Sequence, residues 1–540
     1  MEMPKKEMRY SPAHILWIGM LLFFLCVNGC AMVGPDFVRP KTEVKQEWVE
    51  AGNKHIKETQ PKYKKWWKVF DDPVLDHLIQ TAYERNLPLR IAGVRVFEAR
   101  ALLGITVGGF YPQAQQGLGG LAYNRWSESS PMAMLAETAA RNPNFNFRQA
   151  DIGVGAGWEL DFWGKFRRAI QSADANFLSS IAAYDDALVT LTAEVARTYV
   201  IIRTFEERLK IAHENVATQK ESLRIARARF EAGATGERDV QQALSLLNST
   251  EANIPLIERG IRKAQYALSV LLGMPPGSLG EQLKECREIP RAPAQVAVGI
   301  PAELLRRRPD IRNAELQAVS QSALIGVAKA DLYPSFSLTG SFGFLSSDVG
   351  TSSLGDLFLW KNRAVSIGPS FRWNFFNYGQ ITNSVRVQDA RLQALLINYQ
   401  DTVLRAQREV EDGLVEFLKA RERMKFLERS VEAAKRSAEL ALTQYREGNT
   451  DYTTVLIAQQ ALLNGEDRLA GSQGDVPQGL ISVYRALGGG WEIREGNEYI
   501  PLEIKKAMES RTDWGKLLSP GNVPSDDRDK QETLVRTPDW

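Results

Sequence analysis

The stretch from Tyr184 to Phe230 decides the fold. Its small and apolar positions step by four and three through Leu188, Leu191, Val195, Thr198, Ile202, Phe205, Leu209, Ala212, Val216, Gln219, Leu223 and Ala226. The same rhythm returns from Tyr399 through Val403, Ala406, Val410, Gly413, Phe417, Ala420, Met424, Leu427, Val431, Ala434, Ala438 and Ala441 to Tyr445. Each member of the second set follows its partner at one constant offset, that from Tyr184 to Tyr399. A three-and-four step is a heptad seam, which asks for a facing helix. The chain therefore carries two copies of one very long helical unit. At about 1.5 Å per residue, a helix from Phe166 to Phe230 spans roughly 100 Å. A compact core needs nothing so long, so length itself is the expected function.

Outward from these helices, runs of period two precede each copy. Ile152, Val154, Ala156, Trp158 and Leu160 alternate with Gly153, Gly155, Gly157, Glu159 and Asp161. Phe336, Leu338, Gly340, Phe342 and Phe344 alternate with small or polar neighbours, as do Val365, Ile367, Pro369, Phe371, Trp373 and Phe375. A fourth, weaker run covers 113–123. These are strands with one apolar and one Gly/Ser-rich face. The strands are placed at about 113–123, 150–162, 334–345 and 364–376, each long enough for a tilted membrane strand of ~9–11 residues. Aromatic residues (Tyr111, Tyr123, Trp126, Trp163, Phe375, Tyr378) gather at their ends, as interface girdles do. In isolation such alternation also fits a half-buried soluble sheet; the polar face and the N-terminus favour the membrane. The loops about 124–149 and 346–362 read as outward-facing.

Each half runs helix, hairpin, long helix, turn, returning helix. The turns hold Gly233, Gly236 and Gly448, and the returning helices cover about 237–273 and 451–487. Pro255 is expected to kink the first. Gly465, Gly471, Gly474, Pro477 and Gly479 weaken the second, which packing must hold or break. The expected organisation is a leader over 1–29, an N-terminal segment over 30–68, a first repeat over 69–273, a linker over 274–300, a second repeat over 301–490 and a polar tail over 491–540.

Lys5, Lys6 and Arg9 precede an apolar run from Ile15 to Leu25, a short secretory core rather than a spanning helix of roughly 20 residues. Val27-Asn28-Gly29-Cys30 follows and resembles a bacterial lipobox. The resemblance implies N-acyl and S-diacylglycerol lipid on Cys30, and Ala31 after it implies sorting to the outer membrane. Cys26 falls in the leader and Cys286 stands alone, so no disulfide framework is expected. The four His are scattered without metal-ligand spacing. With 540 residues, 44% hydrophobic, and a net charge of +2, the chain offers no bulk electrostatic case for nucleic acid. No triad or carboxylate pair in a predicted pocket argues for an enzyme, and no cofactor is expected beyond the lipid.

Four strands cannot close a membrane barrel, because an open edge in lipid leaves backbone groups unsatisfied at several kcal/mol each. The smallest barrels need about eight. Several copies must therefore share one wall, continued by the helices.

Val33-Gly34-Pro35-Asp36-Phe37, Trp66-Trp67-Lys68-Val69-Phe70-Asp71-Asp72-Pro73, Trp158-Glu159-Leu160-Asp161-Phe162-Trp163-Gly164, Leu304-Leu305-Arg306-Arg307-Arg308-Pro309-Asp310-Ile311 and Ala486-Leu487-Gly488-Gly489-Gly490-Trp491 stand in one order along 31–491. Together they resemble the outer membrane factor family, in the lipoprotein branch of TolC-like channels of tripartite RND efflux pumps. The resemblance implies a mainly α protein with membrane β: a homotrimer, four transmembrane strands per protomer in a twelve-stranded barrel, continued by a periplasmic coiled-coil tunnel. It implies an inner-membrane RND transporter and a periplasmic membrane-fusion adaptor as partners, and a passive channel. Arg307-Arg308-Pro309-Asp310 reads as a helix cap with ion pairs. The resemblance also implies a gate at the helix turns. Asp239 and Tyr445 match its tip pattern. The TolC-type acidic positions of the second half fall on Thr454 and Ile457, where carboxylates are absent. Asp239, Asp451 and Glu237 supply an acidic constriction instead, or an apolar ring seals by dewetting; both readings stay open, as does that of plain solvated turns. Gly233, Gly236 and Gly448 are candidates for adaptor contact. An exit duct for drugs, solvents or metal ions is the leading expectation. Type I protein secretion and a non-transporting envelope scaffold are the alternatives.

Overall fold

A computed structural model describes residues 32–519, apart from 46, 58–62, 128, 130–144, 281–282, 284–287, 300–306 and 350–351. The leader, Cys30, Cys286, most of the loop at 124–149 and the end of the tail lie outside the described residues.

The chain opens with a short strand β1 (Ile56–Lys57), a 3-10 turn at Trp66–Phe70, and helices α1 (Pro73–Arg85) and α2 (Leu87–Gly108). Asp72 caps α1, its Oδ1 accepting from the amides of Val74 and Leu75, with Pro73 at the first helical position. The same carboxylate accepts from the Tyr199 hydroxyl at 2.7 Å. The tryptophan motif before it is core: Trp66 is fully buried and stacks on Tyr484 at 5.3 Å.

A hairpin follows, β2 (Ala114–Arg125) and β3 (Asn146–Leu160), then the long helix α3 (Lys165–Glu231), a turn, and the returning helix α4 (Glu237–Leu271). A short strand β4 (Val296–Ala297) pairs with β1. The second half repeats the order: α5 (Pro309–Ala330), β5 (Ser335–Ser347), β6 (Arg363–Arg372), α6 (Gln380–Glu447) and α7 (Tyr452–Ala486), then α8 (Leu502–Glu509). The long helices measure 67 and 68 residues, which at about 1.5 Å each is roughly 100 Å. Among the described residues, no helix is long and apolar enough to cross a membrane.

The four long strands form one antiparallel sheet in the order β2-β3-β5-β6. Its register puts Ile152 opposite Phe344, Val154 opposite Phe342 and Leu160 opposite Phe336. In turn Phe342 meets Val365 and Phe336 meets Phe371. Since paired residues point to the same side, these apolar residues make one continuous face. Gly153, Gly155, Ser341, Thr339, Ser366 and Gly368 share the other. The apolar face is bare in the protomer; Ile367 is 78% exposed. β2 has the less regular pattern, since Leu118 and Leu121 fall on opposite faces, yet it pairs with β3 along its whole length. β6 ends at Arg372, so Trp373 and Phe375 lie beyond the strand expected to reach 376.

α7 is one unbroken helix despite its glycines, and packing explains why. A Cβ on Gly479 would sit 2.8 Å from the Phe417 backbone, so the two helices of the second pair touch main chain to main chain there. α4 likewise runs continuously through Pro255. Arg308 precedes α5 and pairs with Asp310 (2.8 Å) and Glu409 (2.8 Å), and donates to the Ala486 carbonyl (2.7 Å). One large core gathers Leu188, Leu191, Val195 and Ile202 with Val410, Phe417, Leu480 and Val483. A second lies near the turns, with Val216, Leu223, Ala226, Ala438, Ala441, Tyr445 and Val455. Each Val, Leu, Ile or Phe among them contributes about 1.5–3 kcal/mol when fully buried.

Candidate functional site

Both interhelical turns lie at the end of the bundle remote from the sheet. Gly233 (φ +68) and Gly448 (φ +86) occupy the left-handed region that ends α3 and α6. The Ala234 amide donates to the Arg229 carbonyl, and the Asn449 amide to the Gln444 carbonyl, both at 2.8 Å. Gly236 differs: it is extended (φ −85, ψ 161) and precedes α4 as its N-cap. A Cβ at Gly233 or Gly236 would meet open space.

Tyr445 is the centre of the arrangement. It is fully buried on the last turn of α6. Its hydroxyl donates to Asp239 Oδ2 at 3.2 Å, across to the first turn of α4. The Arg229 guanidinium lies 4.9 Å over its ring. Arg229 Nη1 also donates to the carbonyl oxygens of Tyr445 (2.6 Å) and Arg446 (3.1 Å), which lack the regular intrahelical partner at the C-terminus of α6. Burial, foremost, raises the Tyr445 hydroxyl above its ordinary pKa, so it remains a proton donor toward Asp239. Tyr452 on α7 meets the Tyr445 ring edge-on at 5.2 Å. Its hydroxyl reaches Ser222 of α3 at 3.4 Å, and Gln459 Nε2 donates to the same Ser222 oxygen at 3.3 Å.

The residues singled out in the sequence separate here. Asp239 and Tyr445 meet. Glu237 is exposed and accepts from Gln241 Nε2 at 3.2 Å. Asp451 caps α7, accepting from the Thr454 amide (3.1 Å) and hydroxyl (2.7 Å); those bonds hold its carboxyl below the usual range. Thr454 is thus spent on the cap. Ile457 is 62% exposed. Arg229, Tyr452, Ser222 and Gln459 were not singled out. Arg229 carried a signal, a cation in the last helical turn, whereas the others read as ordinary ladder neighbours. Among the described residues, no group of three His, Cys, Asp or Glu could hold a metal ion.

The model of the family described as "Outer membrane efflux protein" matches residues 78–274 and 300–489. The chain belongs to the outer membrane efflux protein family. The toluene efflux pump outer membrane protein TtgI of Pseudomonas putida is 30% identical over 479 residues, 87% of this chain and 97% of that one. Nodulation protein T of Rhizobium leguminosarum bv. trifolii is 28% identical, over 82% of this chain and 90% of its own. Among solved structures, the outer-membrane channel OprN superposes with a TM-score of 0.77 at 32% identity, over 85% of this chain and 99% of OprN. The Campylobacter jejuni outer membrane channel CmeC, at 24% identity, shares the fold with a TM-score of 0.78, over 88% of this chain and 100% of CmeC. The chain is accordingly an outer membrane efflux channel component, of a family of passive channels that need no cofactor. Its two family segments coincide with the two halves that carry the long helices.

Proposed function

We propose that the protein is the exit duct of a tripartite efflux pump, built by three identical chains. The observation that carries this reading is the sheet: four strands with free edges at β2 and β6, an apolar face bare in the protomer, and long helices running on from it. In lipid, free edges must be paired. Pairing β6 of one copy with β2 of the next closes a ring, and three copies give twelve strands. The apolar face then meets lipid and the Gly/Ser face lines the lumen. The helices continue the wall across the periplasm as a coiled-coil tunnel. Cys30, two residues before the described chain begins, carries the acyl anchor; Val33 is already tied to Trp163 at the base of the sheet (amide to carbonyl, 3.0 Å).

The turns form the periplasmic end. Tyr445, Asp239 and Arg229 latch the turn of one helix pair to that of the other, holding the tips together in the resting state. Glu237 and Asp451 lie beside them, and the exposed Ile457 offers an apolar lining. Gly233 and Gly236 leave open space on the turn surfaces, and Gly448 lies beside the Arg229 guanidinium; a periplasmic adaptor docks on these turns, and an inner-membrane RND transporter supplies energy and cargo. The duct itself discriminates little among drugs, solvents and metal ions.

Conductance in planar lipid bilayers tests this. Purified protein should give discrete single-channel steps of low conductance, rising when the latch is cut by Tyr445→Phe. A preparation that inserts yet passes no ions would exclude a duct and leave an envelope scaffold.

A further inference from the structure

The family match ends at residue 489, yet the chain beyond it is built into the protomer. Arg494 grips the fully buried Asp185 of α3 with two bonds (2.6 and 3.0 Å) and donates to the Tyr499 hydroxyl at 3.1 Å. The backbone of Tyr499 then crosses α2 at Gly93, where a Cβ would collide with it. Lys505, almost fully buried, donates to the Leu518 carbonyl (2.9 Å), pairs with Glu498, and lies 5.8 Å from the Phe97 ring centre. Arg100 donates to the Leu517 carbonyl at 3.2 Å. The segment therefore climbs α2 from Gly93 toward the sheet and stays there. Single charged residues of a solvated tail would not be buried and paired in this way.

Beside this segment runs an open groove of ≈ 560 Å³. Ala101, Leu102 and Ile105 of α2 form one wall, and Ile504, Met508 and Trp514 form the other. The α2 wall belongs to a heptad stripe, Ile91, Val94, Glu98, Ala101 and Ile105; Val94 packs partly on the protomer's core, while Ile91 and Ile105 are exposed, Ile105 by 72%. On α6 a second such stripe, Val387, Ala390, Ala394, Ile397 and Leu404, is also bare, with Leu404 60% exposed. Both are distinct from the ladders packed within the protomer. Each asks for a partner helix.

The connections name that partner. α2 leads into β2 through 109–113, and α6 leaves β6 through 373–379. β2 and β6 are the two free edges of the sheet. When β6 of one copy pairs with β2 of the next, α6 of the first lies beside α2 of the second. We propose that residues 502–514 and α2 together form a socket that receives the α6 stripe of the neighbouring copy. The C-terminal segment is then a subunit clasp. This inference rests on the shared-barrel reading above.

The test uses the full chain with Arg511→Glu and Thr512→Glu together, two exposed positions on the groove wall, and a second chain ending at Ser510. Native mass spectrometry against protein concentration gives the half-dissociation point of the trimer, and circular dichroism gives helical content. The expected result is a trimeric wild type and about a tenfold rise in half-dissociation concentration for the double variant, with helical content unchanged; for a monomer–trimer equilibrium that is a hundredfold in the dissociation constant, about 2.8 kcal/mol per trimer. The shortened chain should dissociate at least as readily. Unchanged dissociation of the double variant would overturn the clasp while leaving the shared barrel standing. A wild-type chain that is monomeric yet folded and conducting would overturn the shared barrel, and the clasp with it.

Discussion

The hydroxyl of Tyr445 lies 3.2 Å from Oδ2 of Asp239, joining the end of α6 to the start of α4 across the two turns. Both groups are buried, Asp239 at 6% exposure, so neither can replace the other with water at no cost. Removing one partner of a buried bond to a charged group costs about 1–3 kcal/mol. Tyr445→Phe and Asp239→Asn are therefore expected to shift a closed-to-open equilibrium at the tips by roughly 5- to 150-fold. Single-channel recordings of each variant check this through open probability; traces identical to wild type would remove the latch role.

Arg229 makes a different contribution. It covers the ring of Tyr445 and the last carbonyls of α6 at once. Arg229→Lys keeps the charge but loses the planar fork. It should open the tips nearly as much as Arg229→Ala in the same recordings. Full rescue by lysine would show that charge alone matters.

Asp186 gives a pH signature far from the tips. Burial, foremost, and then the neighbouring Asp310 push its carboxyl up to about 6 from the ordinary 3.8, with Arg308 and Arg485 pulling the other way. A carboxyl whose pKa rises on folding favours the fold while protonated, below pH 4. That support is lost as pH climbs through about 6. Asp186→Asn should then raise the thermal midpoint at pH 8, by an amount equivalent to roughly 1–3 kcal/mol, and raise it little at pH 4. Thermal scans by circular dichroism at both pH values decide; an equal effect at both would show that ionisation is not involved.

At Gly479 the helices of the second pair leave no room for a methyl group. Gly479→Ala should cost about 1–3 kcal/mol by overpacking against Phe417, while Gly471→Ala, which meets open space, should be neutral or slightly stabilising. Thermal midpoints of the two variants measured side by side test this; equal midpoints would refute the close approach.

Much of this was legible in the sequence, for identifiable reasons. The three-and-four step from Tyr184 and from Tyr399 gave both long helices, because burying one stripe requires that period. The strands followed from alternation, and the weakest one was also the least regular, since Leu118 and Leu121 break the alternation in β2. What stayed hidden depended on contacts between distant segments. Gly474 and Gly479 read as helix breakers because their neighbours on other helices were unknown. Lys505, Arg494 and Tyr499 read as a polar tail, since a charge and an aromatic ring reveal their burial only beside Asp185, Tyr184 and Phe97. At the tips, Asp239 and Tyr445 stood out as types, but their meeting is a matter of two turns folding back together. Arg229 showed only as a cation in the last turn of α3; its place over Tyr445 depends on where the turn of the other helix pair lies.

The lipid anchor is checked by intact-mass measurement of protein extracted from membranes. The mature chain should begin at Cys30 with diacylglycerol and acyl mass attached, and Cys30→Ser should lack that mass.

On the reading proposed above, one chain supplies too few strands to enclose a pore, so identical copies share it. The most direct test is the native mass of the detergent-extracted particle whose channel activity has been recorded. Three chains per conducting particle is the expected result. A conducting particle containing a single chain would rule out the shared barrel.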